Sequence, residues 1–109
     1  MAEIIWSARS LKDIDEMANY IAKDSLQYAQ EQAKQFFIKT KILEKQPLAG
    51  RRVPEINISS VRQLLCGHYR IIYEIINQKK IGIITIHYQS RLLQNNSSGA
   101  KLLRKRKQK

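Results

Sequence analysis

Cysteine occurs once in the 109 residues, at Cys66, so no internal disulfide is available. With only His68 and His87 as further soft or nitrogen ligands, a structural zinc site is not expected, and no other metal motif or cofactor loop occurs. No run of about 18 apolar residues exists to span a bilayer. The opening "MAEIIWSARS" lacks the basic n-region of a secretory signal, so a cytoplasmic location is expected. Glycine (4) and proline (2) are too few for a fibrous or low-complexity chain. Acidic residues are scarce as well: 9 against 20 Lys and Arg.

What is present is a soluble, core-forming composition, 43% hydrophobic and 27% charged. A chain of this length is expected to fold as one domain and to bury roughly 60 to 70% of its unfolded surface. The net charge of +11 favours anionic partners, but it is unevenly spread. Residues 101–109, "KLLRKRKQK", hold six of the 20 basic residues, so the remainder has 20 − 6 = 14 basic against 9 acidic residues, or +5. The preceding "QNNSSGA" reads as a polar linker. The expected organisation is a domain over 1–94 followed by a linker and basic tail over 95–109. That tail is either a solvated end or a nucleic-acid or partner contact.

The first half of the domain has helical grammar after a short β-like "AEIIW". Ser7 stands at an N-cap position, and Leu11, Ile14, Ala18 and Ile21 follow at three- and four-residue steps. Ser25 offers a second cap, and Leu26, Ala29, Ala33, Phe36, Phe37, Thr40 and Leu43 continue the pattern to Gln46, where Pro47 stops it. The short link between them predicts an antiparallel helical hairpin. After the loop "PLAGRRVPE" come three β-branched runs, "VRQLLC", "YRIIYEII" and "KIGIITIHY", an antiparallel meander. In the middle run Tyr69, Ile71, Tyr73 and Ile75 share one face. Arg70, Ile72, Glu74 and Ile76 share the other, so that strand is expected to be central. Alternation along the last run puts Thr85 and His87 on one face and Ile84, Ile86 and Tyr88 on the other.

Arg70, His87 and Arg91 are residue types that suit phosphate chemistry, a guanidinium to grip oxygens and an imidazole to move protons. RNA cleavage through the 2′-hydroxyl needs such a base, acid and cation. The same residues at strand ends also serve as structural hydrogen-bonding groups, and spacing does not separate the two readings. Cys66 and His68 share a strand face without forming a nucleophile pair, and Cys66 reads as a small hydrophobe.

The order of "IIWS", "LKDIDEMANYIA", "QPLAGRRVPEI", "VRQLL", "HYRIIYEI" and "ITIHYQSRLL" resembles the RelE/ParE superfamily of toxins from type II toxin-antitoxin modules, over about Ile4 to Leu93. The pieces that carry the resemblance are the P-x-x-G-R turn at Pro47, Gly50 and Arg51, the V-R at Val61 and Arg62, the Y-R-I-x-Y strand from Tyr69, and the ending at His87 and Arg91. It implies an α+β fold, a helical hairpin packed on a twisted, mostly antiparallel four-stranded sheet in the order β-α-α-β-β-β, with the first strand joining that sheet. It also implies an acidic, partly disordered cognate antitoxin. The implied binding surface is Arg51, Arg62, Arg70, His87, Tyr88 and Arg91.

Within the superfamily the resemblance divides. RelE-like members cleave ribosome-bound mRNA, with lysines on the strand before the Y-R strand, or a Glu paired with a His, completing the site. Here that strand is "VRQLL", without lysine, and its nearest acid is Glu55. ParE-like members, which the turn, the V-R and the ending match better, block DNA gyrase without cutting RNA. The expectation is therefore a ParE-like gyrase inhibitor, with Arg70, His87 and Arg91 as the catalytic set under the nuclease alternative.

Overall fold

The computed structural model describes residues 1–89. Ser7 begins the first helix as its position predicts: its hydroxyl oxygen accepts the Ser10 N–H at 3.0 Å. The same hydroxyl donates to the Ile84 carbonyl at 2.8 Å, so one side chain caps the helix and fastens it to the sheet. Strand β1 (Glu3–Trp6) precedes it, and α1 runs Ala8–Ala22. Ser25 caps α2 (Leu26–Thr40) in the same way, accepting the Tyr28 N–H at 3.1 Å.

The α-helical part of α2 ends at Thr40, short of the expected Gln46. The Thr40 hydroxyl donates back to the Phe36 carbonyl at 3.0 Å, and the chain tightens into a 3-10 turn over Lys41–Glu44.

Four strands were expected and five are present: β1, β2 (Arg51–Arg52), β3 (Val61–Cys66), β4 (Tyr69–Asn77) and β5 (Lys80–Tyr88). The addition is β2, whose two residues lie in the segment read as a loop; it is too short to have a period. The sheet order is β1-β5-β4-β3-β2, with β1 parallel to β5 and the other neighbours antiparallel, so β4 is central. Gly67, at φ 61°, opens the two-residue turn between β3 and β4, where a positive φ is required.

Each sheet face has its own core. On the hairpin side, Ile14 and Met17 of α1, Phe36 of α2 and Leu43 of the 3-10 turn pack with Ile71, Tyr73, Ile81 and Ile83 of the sheet. On the far face, Val53 and Ile56 from the segment after β2 close over Val61 and Ile72, joined by Ile58 and Ile84. This cover is what the apolar Ile72 required. Ile84 and Ile86 do not share a face, contrary to strict alternation: Ile84 packs in the far cluster and Ile86 in the near one. The cause is a bulge, since Ile72 pairs with Thr85 while Tyr73 pairs with Ile83, leaving Ile84 as the extra residue. At the bulge Asp13 of α1 accepts hydrogen bonds from the Thr85 hydroxyl at 2.5 Å and the Ile86 N–H at 3.0 Å.

Candidate functional site

Alternation along β4 sends Arg70 to the far face, where it is opposite His87 on β5 and Leu65 on β3. Two of the three residues proposed for phosphate chemistry, Arg70 and His87, are thus neighbours, and both are buried, at 8% and 5% exposure. Arg91 lies outside the described residues, as do the linker and tail.

Arg70 is already engaged. Its Nη1 and Nη2 donate to the two Glu55 carboxylate oxygens at 3.1 and 2.7 Å, a fork-on-fork pair, and Nη1 also donates to the Gln63 side-chain carbonyl at 3.1 Å. The guanidinium beside it holds the Glu55 carboxyl below the usual carboxylate range, outweighing the opposing effect of burial. The peptide N–H of Glu55 and the nearby His87 act in the same direction. Glu55 and Gln63 were not among the residues expected here. A usable signal did exist, because Glu55 is the sole acidic residue between Gln46 and Tyr73, a segment holding Arg51, Arg52, Arg62 and Arg70.

The remaining predicted residues are distributed elsewhere. Arg62 is the register partner of Tyr73 and so lies on the hairpin side, opposite to Arg70; its Nη1 donates to the Gly50 carbonyl at 2.9 Å. Arg51 sits on the edge strand opposite Gln63, exposed, with Arg52 next to it. Tyr88, 40% exposed, ends β5 and stands edge-on to Tyr69 at 5.3 Å, which in turn meets Phe36 at 5.6 Å. That chain of rings runs from the core outward.

Chemically, the far face brings together a carboxylate, a guanidinium and an imidazole. These are the parts of an acid-base centre acting on a phosphate, but both terminal nitrogens of the cation are occupied. Cys66 is buried, and burial pushes its thiol up, which keeps it protonated and unreactive. Among the described residues no group of three His, Cys, Asp or Glu side chains is placed to hold a metal ion. No described helix is long and apolar enough to cross a membrane.

The fold has a solved counterpart described as the chromosomal ParDE TA system from P. aeruginosa. The two share a TM-score of 0.66 at 19% identity, over 81% of this chain and 96% of the other. No curated protein sequence matches the chain. Residues 4–93 match the family described as ParE toxin of type II toxin-antitoxin system, parDE. The match spans nearly the whole domain, including the P-x-x-G-R turn, the V-R pair and the Y-R strand, and the chain belongs to the ParE toxin family.

Proposed function

We propose that the protein is the toxin of a type II module, acts in the cytoplasm by binding and inhibiting DNA gyrase, and is neutralised by an acidic, partly disordered antitoxin. The observation that carries the inhibitor reading is the closure of Arg70 by Glu55 and Gln63. A ribonuclease needs a cation open to the phosphate as charge develops on it. Here the buried guanidinium spends both terminal nitrogens within the protein, and "VRQLL" provides no lysine in its place. Two exposed cations, Arg51 and Arg52, stand instead on the sheet edge, where they suit contact with a macromolecular surface. The basic tail strengthens such contacts in a salt-dependent way. Purified protein should inhibit supercoiling by gyrase and leave ribosome-bound message intact. Intact supercoiling activity at saturating protein would refute this.

One observation favours a second reading, a ribosome-dependent mRNA endoribonuclease. Glu55, far from the Y-R strand in sequence, meets Arg70 directly and lies within electrostatic reach of His87. If an RNA phosphate displaced the carboxylate from Arg70, Glu55 and His87 would flank it as base and acid. Site-specific cleavage of ribosome-bound message, lost in a folded Arg70→Ala variant, would establish that reading over the first.

A further inference from the structure

Tyr73 is wholly buried in the near core, yet its hydroxyl works at the margin of the sheet. It accepts the Gly50 N–H at 2.9 Å and donates to the Pro47 carbonyl at 2.8 Å. Arg62 completes the arrangement by donating to the Gly50 carbonyl. Both backbone groups of Gly50 are therefore held by side chains from the sheet, and no side chain fits there: a Cβ would stand 2.7 Å from the Tyr73 hydroxyl and 2.5 Å from the Gln63 carbonyl oxygen. The turn ends in a fixed place, and the next two residues are Arg51 and Arg52 of β2.

This edge concentrates positive charge without compensation. Arg52 is directly opposite Arg62, and like charges facing across strands are destabilising. Among the described residues the ion pairs are Arg9 with Asp13, Lys12 with Glu16 and Arg70 with Glu55, so none serves Arg51, Arg52 or Arg62. The Nε of Arg62 is buried without a hydrogen-bond partner among those residues. Charge on an edge strand discourages self-pairing, but that purpose needs neither a clamped turn nor two opposed arginines.

We propose that Arg51, Arg52 and Arg62, held in place by the Tyr73 clamp, form a recognition surface for an extended acidic protein segment. Tyr73 is a positioning residue in this surface. The proposal deepens the reading that the chain acts by binding protein partners, and rests on it. A peptide suits the site better than a nucleic-acid backbone for two reasons. Consecutive strand residues face opposite sides, so Arg51 and Arg52 present charge on both faces, matching carboxylates at adjacent positions of an added strand rather than a single row of phosphates. In addition β2 is the last strand of the sheet, and its outer edge offers backbone pairing that only a polypeptide can use.

The test uses the full chain and a fluorescein-labelled octapeptide with four consecutive glutamates flanked on each side by two valines, with anisotropy for affinity and hydrogen exchange for location. The expected result is slowed exchange at residues 51–53 and affinity weakened about tenfold in Arg52→Ala/Arg62→Ala, a change of about 1.4 kcal/mol. Tyr73→Phe keeps the ring and removes both hydrogen bonds; it should lower affinity and the protection at 51–53 although Tyr73 itself touches no ligand. Should Tyr73→Phe fail to fold, the exposed Arg52→Ala variant alone carries the test. Protection confined to residues 101–109, or affinity unchanged in the arginine variants, would overturn the proposal. So would tighter binding of a 20-base-pair duplex with the same arginine dependence, which would give the surface to nucleic acid. Gyrase supercoiling by the parent chain is assayed in parallel: inhibition without any peptide binding defeats this inference alone, and peptide binding at residues 51–53 without inhibition defeats only the gyrase reading.

Discussion

Glu55 and Arg70, fifteen positions apart, meet as a two-point ion pair, with Nη2 to Oε2 at 2.7 Å, and fasten the segment after β2 onto the far face of the sheet. Arg70 is nearly buried, whereas the Glu55 side chain is a third exposed. Removing the carboxylate leaves a cation with little access to water, which costs several kcal/mol at fully buried sites and less where solvent can reach. Glu55→Gln should therefore destabilise the fold by about 1–3 kcal/mol, read from the urea midpoint at unchanged m-value. Equal stability of the variant and the parent would mean the pair holds nothing together.

The same contact sets a pH dependence. Because the folded carboxyl titrates below its unfolded value, the pair contributes fully above the ordinary glutamate pKa, about 4.3, and its contribution is lost as pH falls through the lowered folded value. The difference in melting temperature between parent and Glu55→Gln should be constant near neutrality and close only in acid. A gap that closed as pH rose from 6 to 8 would point to a different group.

The elements that repeat an apolar period were legible in the sequence: both helices, with their Ser7 and Ser25 caps, and the three long strands, with Tyr69, Ile71, Tyr73 and Ile75 on one face. That β1 joins the sheet came from the family resemblance; its parallel pairing with β5 was not legible, since a four-residue strand carries no signal for its partner. The bulge at Ile84 was hidden because "IGIITIHY" is apolar in either phase, so shifting the register by one leaves the pattern unchanged. Of the far-face cluster, Arg70 and His87 were readable from strand alternation. Glu55 was not, because its contact depends on the path of the segment after β2, which Val53 and Ile56 fix by packing.

Asp13 does for α1 what Glu55 does for the far face. Its carboxylate accepts from Thr85 and from the Ile86 amide at the bulge, and Arg9 Nε lies 3.1 Å away, close enough to attract though not aligned as a hydrogen bond. Asp13→Ala would strand the buried Ile86 backbone N–H and take one acceptor from the Thr85 hydroxyl, at roughly 1–3 kcal/mol for an unsatisfied group where water cannot enter. A loss of about 1–3 kcal/mol is expected, with faster hydrogen exchange at Ile86 than at Ile71. Uniform acceleration across the sheet would show that Asp13 supports global stability rather than this joint.

Gly50→Ala probes the turn that precedes the edge strand. At this position the glycine is required by space, since the added methyl would meet a backbone carbonyl oxygen at 2.5 Å as well as the Tyr73 ring and hydroxyl. The Gln63 carbonyl belongs to β3 and cannot rotate aside, and Tyr73 is packed on all sides, so the turn itself must move. Overpacking of this kind costs about 1–3 kcal/mol, and displacing Gly50 also weakens the bonds to Tyr73 and Arg62. The Gly50→Ala protein should therefore lose about 2 kcal/mol or more in urea unfolding, with the Arg51 and Arg52 amides showing the largest changes in chemical shift. Removing the Tyr73 hydroxyl first should relieve part of the clash, so the cost of Gly50→Ala should be smaller in a Tyr73→Phe background, a coupling that a double-mutant cycle reads directly. Strict additivity of the two substitutions would mean that the hydroxyl and the turn do not act on each other.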